Sequence, residues 1–151
     1  VADRPPAILS YGARRRVTLA SLAAMGPPFL VLDEPTVGLD AGGLAETFDW
    51  LGELHAGGHT ILLVTHDMEL VAQHAQRMVV LQQGQVVADD TPEAVFQQPA
   101  LLARASLDLP PVAALSQALS ARGMPGSVMT IEQFIDEYCA LAGAVGQDTA
   151  P

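Results

Sequence analysis

The chain has 151 residues, enough for one domain; half of them are apolar, 5% are aromatic, and the formal charge is −10. Its seven cationic side chains are all Arg, with no Lys, and this acidic balance argues against a nucleic-acid surface, which needs clustered positive charge. No run of about 18 apolar residues and no signal-peptide core segment appear, so a soluble protein is expected, one without direct membrane insertion that reaches a membrane through a partner. Cys139 stands alone, which excludes an intrachain disulfide or a thiolate zinc site and suits a reducing compartment. The first residue, Val rather than Met, fits a chain that begins inside a longer gene, and fits an alternative start codon or processing equally well.

Residues 1–8 read as an extended, Pro-containing lead-in. Ser10 then predicts a helix as its N-cap, with Val17, Leu19, Leu22, Ala23 and Met25 as the apolar stripe and Gly26-Pro27-Pro28 as the stop. Phe29 to Leu32 is a short, continuously apolar run, the pattern of a strand buried on both faces of a parallel sheet. A helix is expected over 42–56, with Leu44, Phe48, Leu51 and Leu54 on one face and Gly57-Gly58 at its end. Residues 60–64 read as a second buried strand, and a helix follows from about Asp67 to His74.

Residues 78–81 and 85–88 form two short strands about Gln82-Gln83-Gly84, a hairpin. Thr91-Pro92-Glu93 opens another helix, with Thr as cap and Pro at the first helical position. Strand–helix alternation to about residue 90 predicts an α/β fold with parallel strands; beyond it the chain turns helical, jointed at Pro110-Pro111 and between Gly123 and Gly126. No internal repeat is present, and residues 142–151 read as a frayed tail.

The stretch from Phe29 to Asp40 concentrates the chemistry. A buried strand ending in Asp33-Glu34 sets two carboxylates at the carboxyl edge of a sheet, where α/β proteins bind ligands. The first acid can hold Mg²⁺ while the second faces an attacking water; for Asp-Glu alone, a polar turn after a strand explains the pair equally well.

Taken whole, Phe29 to Asp40 resembles the Walker B motif and D-loop of the ABC ATPase superfamily. Two more segments agree in order: Leu9-Ser10-Tyr11-Gly12-Ala13 resembles the family signature, and Val64-Thr65-His66-Asp67 resembles the switch-histidine loop. The resemblance implies a partial P-loop NTPase domain, RecA-like, with a parallel sheet and helices on both faces, and it implies ATP and Mg²⁺ as cofactors. By position, Asp33 would coordinate Mg²⁺ through water, Glu34 would polarise the attacking water, and His66 would contact the γ-phosphate. Ser10 and the Gly12 N–H would face ATP held by the opposite subunit, at a helix N-terminus that favours phosphate, and Asp40 would reach across the dimer interface.

The signature departs from the family pattern twice. Tyr11 replaces the usual first Gly, as in importers of the energy-coupling-factor and cobalt type, and Ala13 replaces the usual Gln, so weakened rather than abolished function is expected. With no Lys, the chain contains no Gly-x-x-x-x-Gly-Lys-Ser/Thr loop to hold phosphates. In related ATPases the strand of that loop lies between those of residues 60–64 and 78–81, so a split sheet with unpaired edges and marginal stability is expected here.

Of the remaining features, Arg14–Arg16 reads as a solvated helix face, with contact to phosphate or a partner as the alternative. His55, His59 and His74 read as surface or helix-end residues, and Trp50 as packing. The tail, Leu107 to Val112 and then Thr130-Ile131-Glu132-Gln133-Phe134, is similar to the C-terminal extension of energy-coupling-factor ATPases; Thr130 with Gln133 makes a capping box. Three parts are therefore expected: the C-terminal part of an ABC ATPase domain over 1–90, a helical extension over 91–141 that helps two ATPase subunits associate, and a frayed end over 142–151.

The function this implies is the ATP-hydrolysing subunit of an ABC-type importer, paired with a second ATPase subunit and a transmembrane scaffold, cytoplasmic and peripheral on the inner face of the membrane. The alternatives are an incompetent fragment that supplies only its signature face to an intact partner, and an ABC-superfamily ATPase outside transport. The chain by itself is expected to be inactive.

Overall fold

The computed structural model describes Pro5 and residues 8–147. Most of the expected lead-in and the last four residues of the tail lie outside the described residues, as does the side chain of Tyr11. The chain divides into two compact units, Val1–His66 and Asp67–Pro151.

In the first unit, helix α1 (Tyr11–Ala24) starts where Ser10 predicts, the Ser10 Oγ accepting the Ala13 N–H at 3.3 Å. Strand β1 (Phe29–Asp33) leads through a loop to α2 (Ala41–Ala56), and β2 (Thr60–Val64) returns parallel to β1, from Phe29 beside Thr60 to Asp33 beside Val64. One face of this ladder is packed: Leu30 and Leu32 are buried with Leu19 of α1 and Leu51 of α2, and Phe48, Trp50, Leu54, Ile61 and Leu63 close around them. Trp50 is packing, as read.

The opposite face corrects the expectation of strands buried on both sides. Phe29, Val31, Leu62 and Val64 are 70%, 64%, 52% and 49% exposed. Period-2 alternation sends these four side chains to one side of the sheet, and nothing described covers them. Two smaller details also differ. The buried stripe of α2 is Gly43, Thr47 and Leu51 rather than one that includes Leu44, and Met25 caps α1 in the open instead of packing. His59, read as a surface residue, bonds the Pro27 carbonyl at 2.7 Å through its Nδ1 and ties the two loops beneath the strands.

The second unit begins with α3 (Met68–His74), capped by Asp67, and continues into the antiparallel hairpin β3 (Met78–Gln82) and β4 (Gln85–Asp90). Gln83 and Gly84, with φ of 49° and 76°, form the two-residue turn; both left-handed positions match the type I′ geometry that follows strand twist. The described strands thus form two separate two-stranded sheets, one parallel and one antiparallel.

Helices α4 (Pro92–Phe96), α5 (Pro99–Ala105), α6 (Pro111–Ala118), a 3₁₀ turn (Ser120–Arg122) and α7 (Ile131–Gln147) complete the unit. Val95 and Phe96 are fully buried among Met68, Met78, Val80, Leu101 and Leu102. The buried Ser116 hydroxyl donates to the Pro125 carbonyl, fixing the joint between α6 and α7. Gly123 sits at φ 92°, and a Cβ there would lie 3.3 Å from Leu141 of α7, so conformation and space both favour Gly. The capping box forms in both directions: the Gln133 N–H donates to Thr130 Oγ1, and the Thr130 N–H donates to Gln133 Oε1, each at 3.3 Å. Helix α7 continues past residue 141 to Gln147, so the part of the tail read as frayed is helical as far as it is described.

Candidate active site

The parallel ladder extends one residue past β1, where the Glu34 N–H donates to the Val64 carbonyl at 2.9 Å. Glu34 then takes φ 43°, in the left-handed region that costs a non-Gly residue about 1–3 kcal/mol. That reversal turns the chain into the fully buried Pro35 and brings the Glu34 carboxylate to the end of β2.

Glu34 Oε1 meets the His66 ring Nδ1 at 2.5 Å and accepts the His66 N–H at 3.2 Å, and Oε2 accepts the Thr65 hydroxyl at 3.4 Å. The hydrogen bond from His66 is the main reason that the Glu34 carboxyl is held below its ordinary value, against a partial desolvation that works the other way. Glu34 is therefore ionised at neutral pH, the state a general base requires. The His66 side chain is 82% exposed, and its Nδ1 is held by Glu34.

Asp33 is exposed at the strand end and brings one carboxylate. Among the described residues no group of three or more His, Cys, Asp or Glu could hold a metal. A single carboxylate fits a cation such as Mg²⁺ that keeps its waters and takes phosphate oxygens, and does not fit an all-protein cage.

The remaining predicted residues sit at the starts of two helices. Ser10 caps α1, with Gly12 in its first turn against Leu39 of the loop before α2. Asp40 caps α2, its Oδ1 accepting the Gly43 N–H at 2.8 Å. In this structure Asp40 is thus engaged in its own helix, a role that its place in the D-loop resemblance did not suggest. The structure brings Glu34 and His66 together directly, with Asp33 as the neighbour of Glu34, and places Ser10, Gly12 and Asp40 at the starts of α1 and α2.

Sequence reasoning missed Thr65 and Arg15. The Arg15 guanidinium donates through Nη2 to the carbonyls of Asp33 and Glu34, each at 2.9 Å, and through Nε to the Pro35 carbonyl at 3.4 Å. A signal was present in the triplet: helical residues fan out by about 100° per step, so three successive Arg cannot all share one solvated face. Arg16 pairs with Glu46 at 2.7 Å, and Arg14 is exposed.

No family model matches the chain. It is 43% identical over 127 residues to the energy-coupling factor transporter ATP-binding protein EcfA2 of Methanospirillum hungatei, across 83% of this chain and 32% of that protein. It is 43% identical over 129 residues to EcfA2 of Streptococcus pyogenes, across 85% of this chain and 46% of that protein. Among solved structures it is similar to cbiO1 of Clostridium perfringens, part of the ABC transporter complex cbiONQ, at 34% identity and TM-score 0.56, over 75% of this chain and 45% of that one. It is also similar to MJ1267, an ATP-binding cassette of an ABC transporter, at 25% identity and TM-score 0.60, over 70% and 43%. The chain spans less than half the length of each of these relatives.

Proposed function

Because this chain is homologous to ATP-binding proteins of energy-coupling-factor transporters and has an ABC ATPase-type α/β fold, we propose that it carries the hydrolytic half of an ATPase site in an ABC-type importer. The observation that carries this is the contact of the Glu34 carboxylate with the His66 ring at 2.5 Å, at the carboxyl ends of two paired parallel strands. In this reading Asp33 holds Mg²⁺ through water, Glu34 draws a proton from the attacking water, and His66 fixes that water and the γ-phosphate. Mg²⁺ supplies neutralisation of the phosphate charge. Ser10 and the Gly12 N–H at the start of α1 offer donors to ATP held by a second ATPase chain, and Asp40 reaches toward that chain.

Residues 1–90 form the ATPase part and 91–141 the extension. The exposed face of Phe29, Val31, Leu62 and Val64 supports the idea that further ABC-domain elements cover this sheet. On α7, Ile131, Ile135 and Tyr138 are exposed, and the Phe134 and Tyr138 rings stack at 6.3 Å; this apolar stripe supports association of two ATPase chains through the extension. No described helix is long and apolar enough to cross a membrane; similarity to ATP-binding proteins of transporters supports a transmembrane scaffold as the proposed partner and the inner membrane face as the proposed place of work.

The lack of Lys favours a second statement: these 151 residues alone do not hold MgATP, and by themselves supply only the signature face. Calorimetry tests the second statement and light scattering the first. The chain alone is expected to show no MgATP binding, while a chimera joined behind the phosphate-binding half of the Methanospirillum relative is expected to bind it. In that chimera Glu34→Gln should accumulate an ATP-bound dimer by light scattering. Tight binding by the chain alone removes the second statement, and a Glu34→Gln chimera that stays monomeric with ATP counts against the first.

A further inference from the structure

The turn that aims Glu34 is held from outside its own strand. Three consecutive carbonyls, those of Asp33, Glu34 and Pro35, all face the single guanidinium of Arg15, which lies one turn into α1. Carbonyls at a strand end that turns away from its ladder lose their sheet partners, and leaving such groups unpaired when partly buried is costly. Arg is suited to the task, because its planar fork presents several N–H donors in fixed directions and stays charged at any relevant pH.

The conformation fixed by these bonds is the unfavourable one. Glu34 is at φ 43°; its N–H donates to the Val64 carbonyl, and its carbonyl also accepts a long bond from the Val37 N–H at 3.4 Å. A strained left-handed residue persists only when its surroundings over-determine it. Here the over-determination comes from Arg15 on one side and from the contacts of the carboxylate with Thr65 and His66 on the other.

From this geometry we infer that Arg15 is a positioning residue for Glu34: its guanidinium locks the Asp33–Pro35 carbonyls and so sets the left-handed turn that delivers the Glu34 carboxylate to His66. Its importance for hydrolysis rests on the reading of Glu34 as the base; its effect on the turn does not. Ser10 caps the same helix that carries Arg15, so the helix proposed to face one ATP also holds the backbone of the base proposed to act on another.

Nuclear magnetic resonance on the full 151-residue chain without nucleotide tests the inference. Arg15→Gln should speed amide exchange at Glu34 and His66 by about tenfold or more relative to wild type, while Thr47 and Leu51 of α2 keep their protection. The His66 imidazole nitrogen resonances should move toward those of a Glu34→Gln reference, in which the carboxylate contact is gone. Arg15→Lys, which keeps the charge without the fork, should restore part of both effects and keeps the test open where Arg15→Gln folds poorly. Unchanged exchange and unchanged His66 resonances in both variants would overturn the inference. So would acceleration spread evenly over α2 and β2, because that marks general destabilisation. A Glu34→Gln chimera, carrying the phosphate-binding half of the relative, that hydrolyses ATP at the normal rate would remove the base and leave this result standing.

Discussion

Between Val1 and His66 four large apolar side chains of one sheet face lie open, whereas between Asp67 and Pro151 a cluster closes around Val95 and Phe96, at 0% and 1% exposure. The second unit also exposes apolar residues, Val79, Leu81 and Val86 of its hairpin among them, but its core is complete. The proposed chemistry sits in the unit with the open face. Glu34 and His66 lie at the end of a two-stranded sheet with one packed face, so the pair proposed to hydrolyse ATP is held by few contacts, those of Arg15 and Thr65 prominent among them.

Substitutions can sharpen this contrast, beginning with the largest effect. Phe96→Ala should destabilise the second unit by about 3–5 kcal/mol in chemical denaturation, the usual range for emptying a closed aromatic site. Thr130→Ala breaks one arm of the capping box before α7 and should cost about 1 kcal/mol. Glu34→Gln should change stability by less than about 1 kcal/mol near neutral pH, because the His66 ring is largely exposed. Its pH signature is more telling. Since Glu34 is held below its ordinary value of 4.5, its contribution is complete above that pH and disappears as pH falls through the folded value. The Glu34→Gln chain should therefore lose less stability than wild type on acidification below that point.

Smallest of all, Phe29→Ala should alter stability by no more than about 0.5 kcal/mol, since its ring is already exposed. A loss comparable to that of Phe96→Ala would mean that the open sheet face is covered in solution, and the contrast between the units would fail.

Local signals in the sequence carried most of this. Ser10, Thr91 and Thr130 announced helix starts because a capping side chain acts within three residues of itself. Asp33-Glu34 was legible as two carboxylates at the end of an apolar strand, and His66 through the family resemblance; the parallel register of the two strands is what brings their ends together. What could not be read was decided at a distance. An apolar run such as Phe29 to Leu32 states that its faces suit burial, but not whether the covering element lies in the same chain. Arg15 was hidden because its partners are backbone carbonyls, which every residue has and no motif marks. Asp40 has the right composition for a cross-subunit contact and equally for an N-cap, and in this structure its carboxylate caps α2.

The central claim is that Glu34 acts as the base of an ATPase site once a phosphate-binding half is present. Its most direct test is the steady-state rate of ATP hydrolysis by the chimera with the Methanospirillum phosphate-binding half, compared between Glu34 and Glu34→Gln at saturating MgATP. Loss of a positioned base should lower kcat by about 10²- to 10⁴-fold with ATP binding retained. A kcat within a few-fold of the parent chimera would contradict the account.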